Sequence, residues 1–243
     1  MTTFSLIIPY ALIPVISMLA GGFVGLYTKT SGAFRSSVLH FAAGVVFSVV
    51  AVELLPDIIK NHRPIEVGIG FSLGIATMLL VKFFAEKIES KAEEKKKENA
   101  LPIGLLLALG IDLLIDGLLL GVGFAAGNTE GILLSVALAL ETFSLGLAVV
   151  LACVDANLTK QKNILILLAL GGLFFIGAVL GITLLSGLSQ EWLELVLSFG
   201  LAALLFLVIE ELLTEAHEEK ETLLQTSMFF IGFLIFLLIG MMA

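Results

Sequence analysis

Three acidic residues lie where an apolar chain accommodates charge least easily. Asp112 and Asp116 fall in the middle of the segment IDLLIDGLLLGVGF, and Glu141 falls in the middle of LALETFSLGLAVV. According to insertion scales, each charged residue at the centre of a membrane helix costs roughly 2.5–3.5 kcal/mol of insertion free energy. The i, i+4 spacing places Asp112 and Asp116 on one helix face, and neither surrounding apolar stretch holds a Lys or Arg. Because like charges in a low-dielectric interior need a cation or protons, these residues predict a cation site.

The elements that must hold these acids are membrane spans. Hydrophobic residues make up 59% of the 243 residues and charged residues only 14%, which is more apolar material than a water-soluble core can bury. The apolar residues form continuous blocks that suit spans of about 20 residues. The sequence therefore predicts a single all-α domain over residues 1–243, an integral membrane protein with eight transmembrane helices at 4–28, 38–59, 65–86, 100–126, 132–154, 163–187, 192–213 and 222–242.

Basic residues orient these predicted spans. One side of the membrane collects only Lys60 and Arg63. The other side collects the remaining Lys and Arg residues, which are Lys29, Arg35, Lys82, Lys87, Lys91, Lys95, Lys96, Lys97, Lys160, Lys162 and Lys220. Because basic residues concentrate on the cytoplasmic side, both termini are predicted to be extracytoplasmic, in a multi-pass protein of the cell membrane.

Further acids lie towards the ends of the second and seventh blocks. Glu53 is predicted to lie on the outer approach to the central acids, and Glu210 and Glu211 on the cytoplasmic exit. Ser144 and Thr142, close to Glu141, are candidates for additional oxygen ligands. Among the histidines, His40 is predicted to be an interfacial polar anchor, and His62 and His217 are predicted to lie in solvent.

Glycines predict how the helices approach one another. Small residues spaced by four let helix backbones come close in lipid. The chain repeats this spacing at Gly21 and Gly25, Gly70 and Gly74, Gly117 and Gly121, and Gly177 and Gly181.

Several classes of protein are disfavoured. The net charge of −8 argues against a nucleic-acid partner. The single cysteine, Cys153, rules out an internal disulfide framework. The chain shows neither a nucleophile and base pair nor a phosphate-binding loop, so it is predicted not to be an enzyme.

Three segments resemble the ZIP family of divalent metal transporters. IDLLIDGLLLGVGF is similar to the fourth-helix motif of that family, HFAAGVVFSVVAVELLPD to its second helix and EELLTEAHE to its seventh. The resemblance implies eight spans with both termini outside, a divalent metal ion as substrate and the lipid bilayer as surroundings. It also implies a homodimer, and an elevator movement in which one helix bundle slides against another.

The departures from the family pattern are equally informative. Asp112 stands where the family has a fourth-helix histidine, Asp116 keeps the family acid, and Glu141 stands at the fifth-helix histidine. Other family ligand positions have become apolar, at Leu113, Leu145 and Phe174. The comparison with the family therefore predicts a single central metal where family members place two.

Ligand chemistry limits the choice of ion. Replacing imidazole by carboxylate favours hard cations such as manganese, iron(II), magnesium or calcium, while zinc also binds carboxylate oxygens well. Zinc, iron(II) and manganese are the leading candidates. The alternative hypothesis is a ZIP-like membrane protein that binds a cation for sensing or structure without transporting it.

Overall fold

A computed structural model describes residues 3–28, 31–93, 103–185, 189–217 and 222–241 of the chain. These residues form helices and short connections and contain no strand, which confirms the all-α prediction for the described part. The helices are α1 (Thr3–Tyr27), α2 (Gly32–Val49), α3 (Leu55–Asn61), α4 (Pro64–Glu93), α5 (Ile103–Ala126), α6 (Asn128–Asp155), α7 (Lys160–Leu185), α8 (Gln190–Phe206), α9 (Leu213–Ala216) and α10 (Leu223–Gly240). Two π-helical segments, π1 (Val50–Leu54) and π2 (Leu207–Leu212), join α2 to α3 and α8 to α9.

Seven helical stretches of the described residues are long and apolar enough to cross a membrane. They are Ile8–Tyr27, Gly32–Val52, Pro64–Phe84, Gly131–Val154, Lys160–Leu184, Glu191–Ala216 and Leu223–Gly240. These stretches support an integral, multi-pass membrane protein. The eighth span, assigned to α5 with its two aspartates, and the position of both termini stay predictions.

Several helices run beyond the apolar blocks. α2 begins at Gly32, whereas the predicted span began at residue 38. At the observed start, the Ser31 side chain accepts a hydrogen bond from the Phe34 amide and caps the helix. α4 continues to Glu93, as expected for a charged helical extension into solvent. Apolar blocks mark the part of a helix that lies in lipid, whereas the helix itself ends where its backbone is capped.

Close glycine contacts occur within two groups of helices. In the first group (α1, α5, α6 and α7), a Cβ at Gly21 would collide with the Phe143 carbonyl, and one at Gly117 with the Phe174 carbonyl. In the second group (α2, α4, α8 and α10), a Cβ at Gly70 would collide with the Leu195 carbonyl. These contacts pair α1 with α6, α5 with α7 and α4 with α8, while Gly44 and Gly232 pair α2 with α10. The glycine spacings therefore mark close helix contacts, as predicted.

The two groups meet along α2, α4 and α8 on one side and α5 and α6 on the other. α5 and α6 are joined through Gly127 and contact each other, which confirms that the two helices carrying the central acids are neighbours.

The π-helical segments coincide with two of the acidic motifs. π1 contains Glu53, and π2 contains Glu210 and Glu211. Pro56 is the second residue after π1, and because its ring clashes with the carbonyl four residues earlier, a wider turn relieves that contact. At π2 the Thr214 hydroxyl donates to the Ile209 carbonyl, at 3.1 Å. Single π turns often occur at functional sites, and the apolar pattern of the sequence does not predict them.

Candidate metal site

The two aspartates of α5 are held inside the protein by the close contact of α5 with α7. Asp116 is 1% exposed, and Asp112, one turn earlier, is partly buried. The glycine that follows Asp116 lets the α7 backbone approach at this level. The sequence thus fixes both the depth and the direction of these side chains through helix spacing.

Carboxylates from three different helical elements meet beside α5. One oxygen each from Asp112, Glu141 of α6 and Glu211 of π2 lies within 4.8 Å of the other two. The Asp112 and Glu211 carboxyl groups are close enough to share a hydrogen bond. Since a carboxylate can only accept, such a bond needs a proton on one of the two groups, and a metal ion can take the place of that proton.

Asp116 lies beside this group and interacts with it through charge. It is close enough to Glu141 and Asp112 for their charges to repel. Asp116 Oδ2 and Glu141 Oε2 are both buried and have no hydrogen-bond partner among the described residues. Charged oxygens without donors in a low-dielectric interior are costly, so the four acids form a strong candidate for binding a cation.

A lysine charge reaches the edge of this group. The Lys82 ammonium lies 2.6 Å from a Glu210 carboxylate oxygen and also acts on Glu211. One ammonium shared between these two acids leaves Asp112, Asp116 and Glu141 without a basic residue of their own in the part of the chain that the structure describes.

The two candidate hydroxyls next to Glu141 have different surroundings. Ser144 Oγ is buried and has no hydrogen-bond partner in the described ranges, so it has a lone pair to offer an ion. Thr142 Oγ1 instead donates to the Pro14 carbonyl of α1 at 2.9 Å. Thr142 therefore ties α6 to α1, and Ser144 is the better candidate for an extra ligand.

The remaining sequence candidates fall outside the group. Glu210 is exposed and pairs with Lys82, so the structure does not bring it to the other acids. The backbone of Glu53 lies in π1, and its side chain lies outside the part that the structure describes. The role predicted for Glu53 on the outer approach stays a prediction.

Glu211 lies elsewhere than the sequence analysis expected. The prediction put it at the cytoplasmic exit, apart from the central acids, whereas its carboxylate joins Asp112 and Glu141. The spanning stretch that contains Glu211 continues to Ala216, beyond the predicted end at residue 213. Glu211 therefore lies next to the central acids, before the end of this candidate span, and its role at the exit stays a prediction.

The apolar substitutions at family ligand positions are packed in the core. Leu113, Leu145 and Phe174 are all buried. They offer a metal ion no lone pair, so the oxygen ligands of this region come from the single group of acids.

Two histidines that were predicted to be unrelated lie side by side. The His40 ring is buried, and its centroid is 5.2 Å from that of the His217 ring in an edge-to-face arrangement. The two residues are far apart in sequence, and only the packing of α2 against α9 brings them together. His62, by contrast, is exposed in a left-handed turn at the end of α3, as predicted.

Comparison with known families identifies this architecture. Residues 84–240 match the family described as ZIP zinc transporter. The chain belongs to the ZIP family. The match includes Asp112, Asp116, Glu141 and Glu211, the four acids of the group. A search of curated proteins found none that matches the chain.

Membership of the ZIP family settles the broad class of the protein. ZIP proteins are multi-pass membrane proteins that transport divalent metals such as zinc, and they are not enzymes. The seven apolar helical stretches agree with this class, and the carboxylate group supplies the ligands that a divalent cation needs.

Proposed function

We propose that this ZIP protein carries a divalent cation across the membrane through one central site formed by Asp112, Asp116, Glu141 and Glu211. The observation that carries the proposal is the meeting of carboxylate oxygens from three helical elements within 4.8 Å. Four acids in this position repel one another, and a divalent ion removes that repulsion while satisfying their oxygens. Ser144 Oγ supports the site as a further neutral ligand.

The ligand set favours metal ions that are coordinated well by oxygen ligands. Manganese and iron(II) bind carboxylates readily, and zinc binds them with higher intrinsic affinity according to the Irving–Williams order. We therefore propose zinc, iron(II) and manganese as substrates. The absence of histidine from the central group weakens the preference for zinc that an imidazole site would have.

A single ion occupies this central site in the proposed mechanism. Leu113, Leu145 and Phe174 are buried at positions where the family carries ligands. Apolar side chains cannot replace the water that a divalent ion loses on entering the protein, so a second central ion would lack a coordination shell.

The division of the helices supports an elevator movement. Asp112, Asp116 and Glu141 belong to the first group, whereas Glu211 belongs to the second. Glycine contacts link α1, α5, α6 and α7 in the first group, and they join α4 to α8 and α2 to α10 in the second. Sliding of the first group along the second would take the ion away from Glu211 and remove one of its four carboxylates. The loss of that ligand weakens binding and favours release.

The topology proposed with this mechanism has eight spans, both termini extracytoplasmic and two copies in a dimer. The charged extension of α4 and the Lys82–Glu210 ion pair lie on the side to which most basic residues were assigned. This distribution supports a cytoplasmic position for that side. The dimer is proposed from the family resemblance.

Uptake of metal into proteoliposomes tests the proposed function. The purified protein is reconstituted, and accumulation of zinc, iron(II) and manganese is followed under an imposed gradient. We expect uptake by the native protein and its loss in Asp116→Ala. Glu191→Gln is a matched control because Glu191 is an exposed acid near the opposite end of the seventh span.

Two results would contradict the proposal. Uptake that survives in Asp116→Ala would exclude Asp116 from the site. Metal binding without uptake under any gradient would favour the alternative, a protein that binds a cation for sensing or structure. The observation that favours this alternative is that apolar Leu145 and Phe174 are buried at positions where the family carries ligands.

A further inference from the structure

We propose that Glu194 and Ser198 bind a monovalent alkali cation, for which sodium is the probe, near the start of the seventh span. Both residues belong to α8. Ser198 lies 13 residues before Glu211, which is roughly 20 Å along a helix. The site therefore shares no residue with the central acids, and the inference does not depend on the proposed function.

Glu194 is a buried acid with one unsatisfied oxygen. The residue is 1% exposed. The side-chain amide of Asn61, at the end of α3, donates to Glu194 Oε2 at 2.8 Å. Glu194 Oε1 is buried and has no hydrogen-bond partner among the residues that the structure describes. One neutral donor does not offset the cost of burying a carboxylate, so this charge calls for a counterion.

No basic residue in the described ranges forms an ion pair with Glu194. Arg63, which follows α3, instead lies 3.6 Å from a carboxylate oxygen of Glu66 and 3.6 Å from one of Glu191. Glu194 is also the fifth residue of α8. It therefore lies beyond the first turn, where the free N–H groups of a helix stabilise negative charge.

Ser198 provides a second oxygen one helical turn after Glu194. Residues four apart in a helix lie on the same face. Ser198 is buried, and its Oγ has no hydrogen-bond partner within the described part of the chain. The α4 backbone packs against this residue, because a Cβ added at Gly70 would lie 3.1 Å from Ser198 Cβ. The hydroxyl therefore offers its lone pairs inside the protein rather than to solvent.

The charge and hydrogen bonding of these two groups favour a monovalent cation. A proton on Glu194 Oε1 would need an acceptor within about 3.0 Å, and the described residues provide none. A water molecule would satisfy both oxygens but leave the negative charge uncompensated. A divalent ion would leave one positive charge in excess. A monovalent cation neutralises the single carboxylate and coordinates both oxygens.

Thermal unfolding of the full-length protein in detergent tests this site. Sodium chloride replaces choline chloride at constant ionic strength, with a chelator present to remove divalent ions. A ligand of the native state stabilises it with the logarithm of ligand concentration above Kd. Sodium should therefore raise the unfolding temperature by a few degrees for each tenfold increase.

Two variants and a control assign the sodium response to the proposed ligands. Glu194→Gln keeps the shape and removes the buried charge, so it should fold without sodium and lose the response. Ser198→Ala removes one neutral ligand and should need about tenfold more sodium. Glu191→Gln is the matched control and should keep the native response, because Glu191 is an exposed acid at the start of the same helix.

Three results would overturn the inference. Equal unfolding temperatures of the native protein in sodium and in choline would show that no alkali cation binds. A sodium response that persists in Glu194→Gln would place the ion elsewhere in the protein. An unchanged response in Ser198→Ala would remove Ser198 from the site. None of these results depends on zinc uptake, so the transport proposal stands or fails separately.

Discussion

Comparing Glu211→Gln with Glu210→Gln tests whether Glu211 is a ligand of the central site and the adjacent Glu210 is not. Glu211 joins the carboxylate group, whereas the adjacent Glu210 is exposed and pairs with Lys82. Both changes remove one negative charge and preserve the shape of the side chain. We expect only Glu211→Gln to weaken equilibrium binding of a divalent metal.

The size of the effect follows from the charges around Glu211. A carboxylate about 3 Å from a divalent ion gains roughly 11 kcal/mol at an effective dielectric constant of about 20. When the ion replaces the proton held by this group, the newly charged Glu211 is repelled by Asp112 and Glu141, whose oxygens lie within 4.8 Å, at a cost of roughly 3.5 kcal/mol from each. The net contribution is roughly 4 kcal/mol, or about 1,000-fold in affinity. Because the Gln amide oxygen still offers a lone pair, we expect a loss of about 30- to 1,000-fold.

Titration calorimetry with zinc and manganese measures this difference. The Glu210→Gln protein should bind within about threefold of the native protein, since an exposed ion pair contributes little. Equal losses in the two variants would show that net charge rather than coordination controls binding. Unchanged affinity in Glu211→Gln would remove Glu211 from the central site and restore the cytoplasmic exit role predicted from the sequence.

Three further predictions concern packing, protons and stoichiometry. Gly177→Ala should lower the thermal unfolding temperature in detergent, by the equivalent of about 1–3 kcal/mol, because the added Cβ would collide with the α5 backbone. Gly172→Ala is the control and should leave that temperature unchanged, because a Cβ there meets nothing within 4 Å. Equal shifts in the two variants would contradict this prediction. Metal affinity should fall as pH is lowered, because protons compete with the metal for the carboxylates. Calorimetry in buffers of different ionisation enthalpy should detect at least one proton released per ion bound. Metal binding without proton release would contradict a proton shared between the acids. Metal analysis of the native protein, after surface-bound ions are removed, should find one ion per chain, because Leu145 and Phe174 cannot ligate a second central ion, and two would contradict a single central site.

The sequence predicted the features that depend on local chemistry. Asp112, Asp116 and Glu141 are conspicuous because charge is rare in apolar blocks, and the i, i+4 spacing placed Asp112 and Asp116 on one helix face. The Gly117 and Gly177 contacts followed from small residues at intervals of four. These signals lie within single helices, so they are readable without knowing how the helices are arranged.

Other features depend on contacts between distant parts of the chain. Glu211 was assigned to a helix end because hydropathy marks lipid depth poorly near polar residues, and the π-helical segment around it leaves no apolar signature. The meeting of His40 with His217 requires the packing of α2 against α9. No spacing within either segment predicts that contact, so these residues were interpreted separately.

Anomalous scattering from crystals grown with manganese or zinc tests the central claim most directly. We predict an anomalous peak at the carboxylate group, within about 2.0–2.2 Å of oxygens from Asp112, Glu141 and Glu211 for zinc, with Asp116 or Ser144 completing the shell. Strong peaks confined to other parts of the protein, with these carboxylates held together only by protons, would contradict the account.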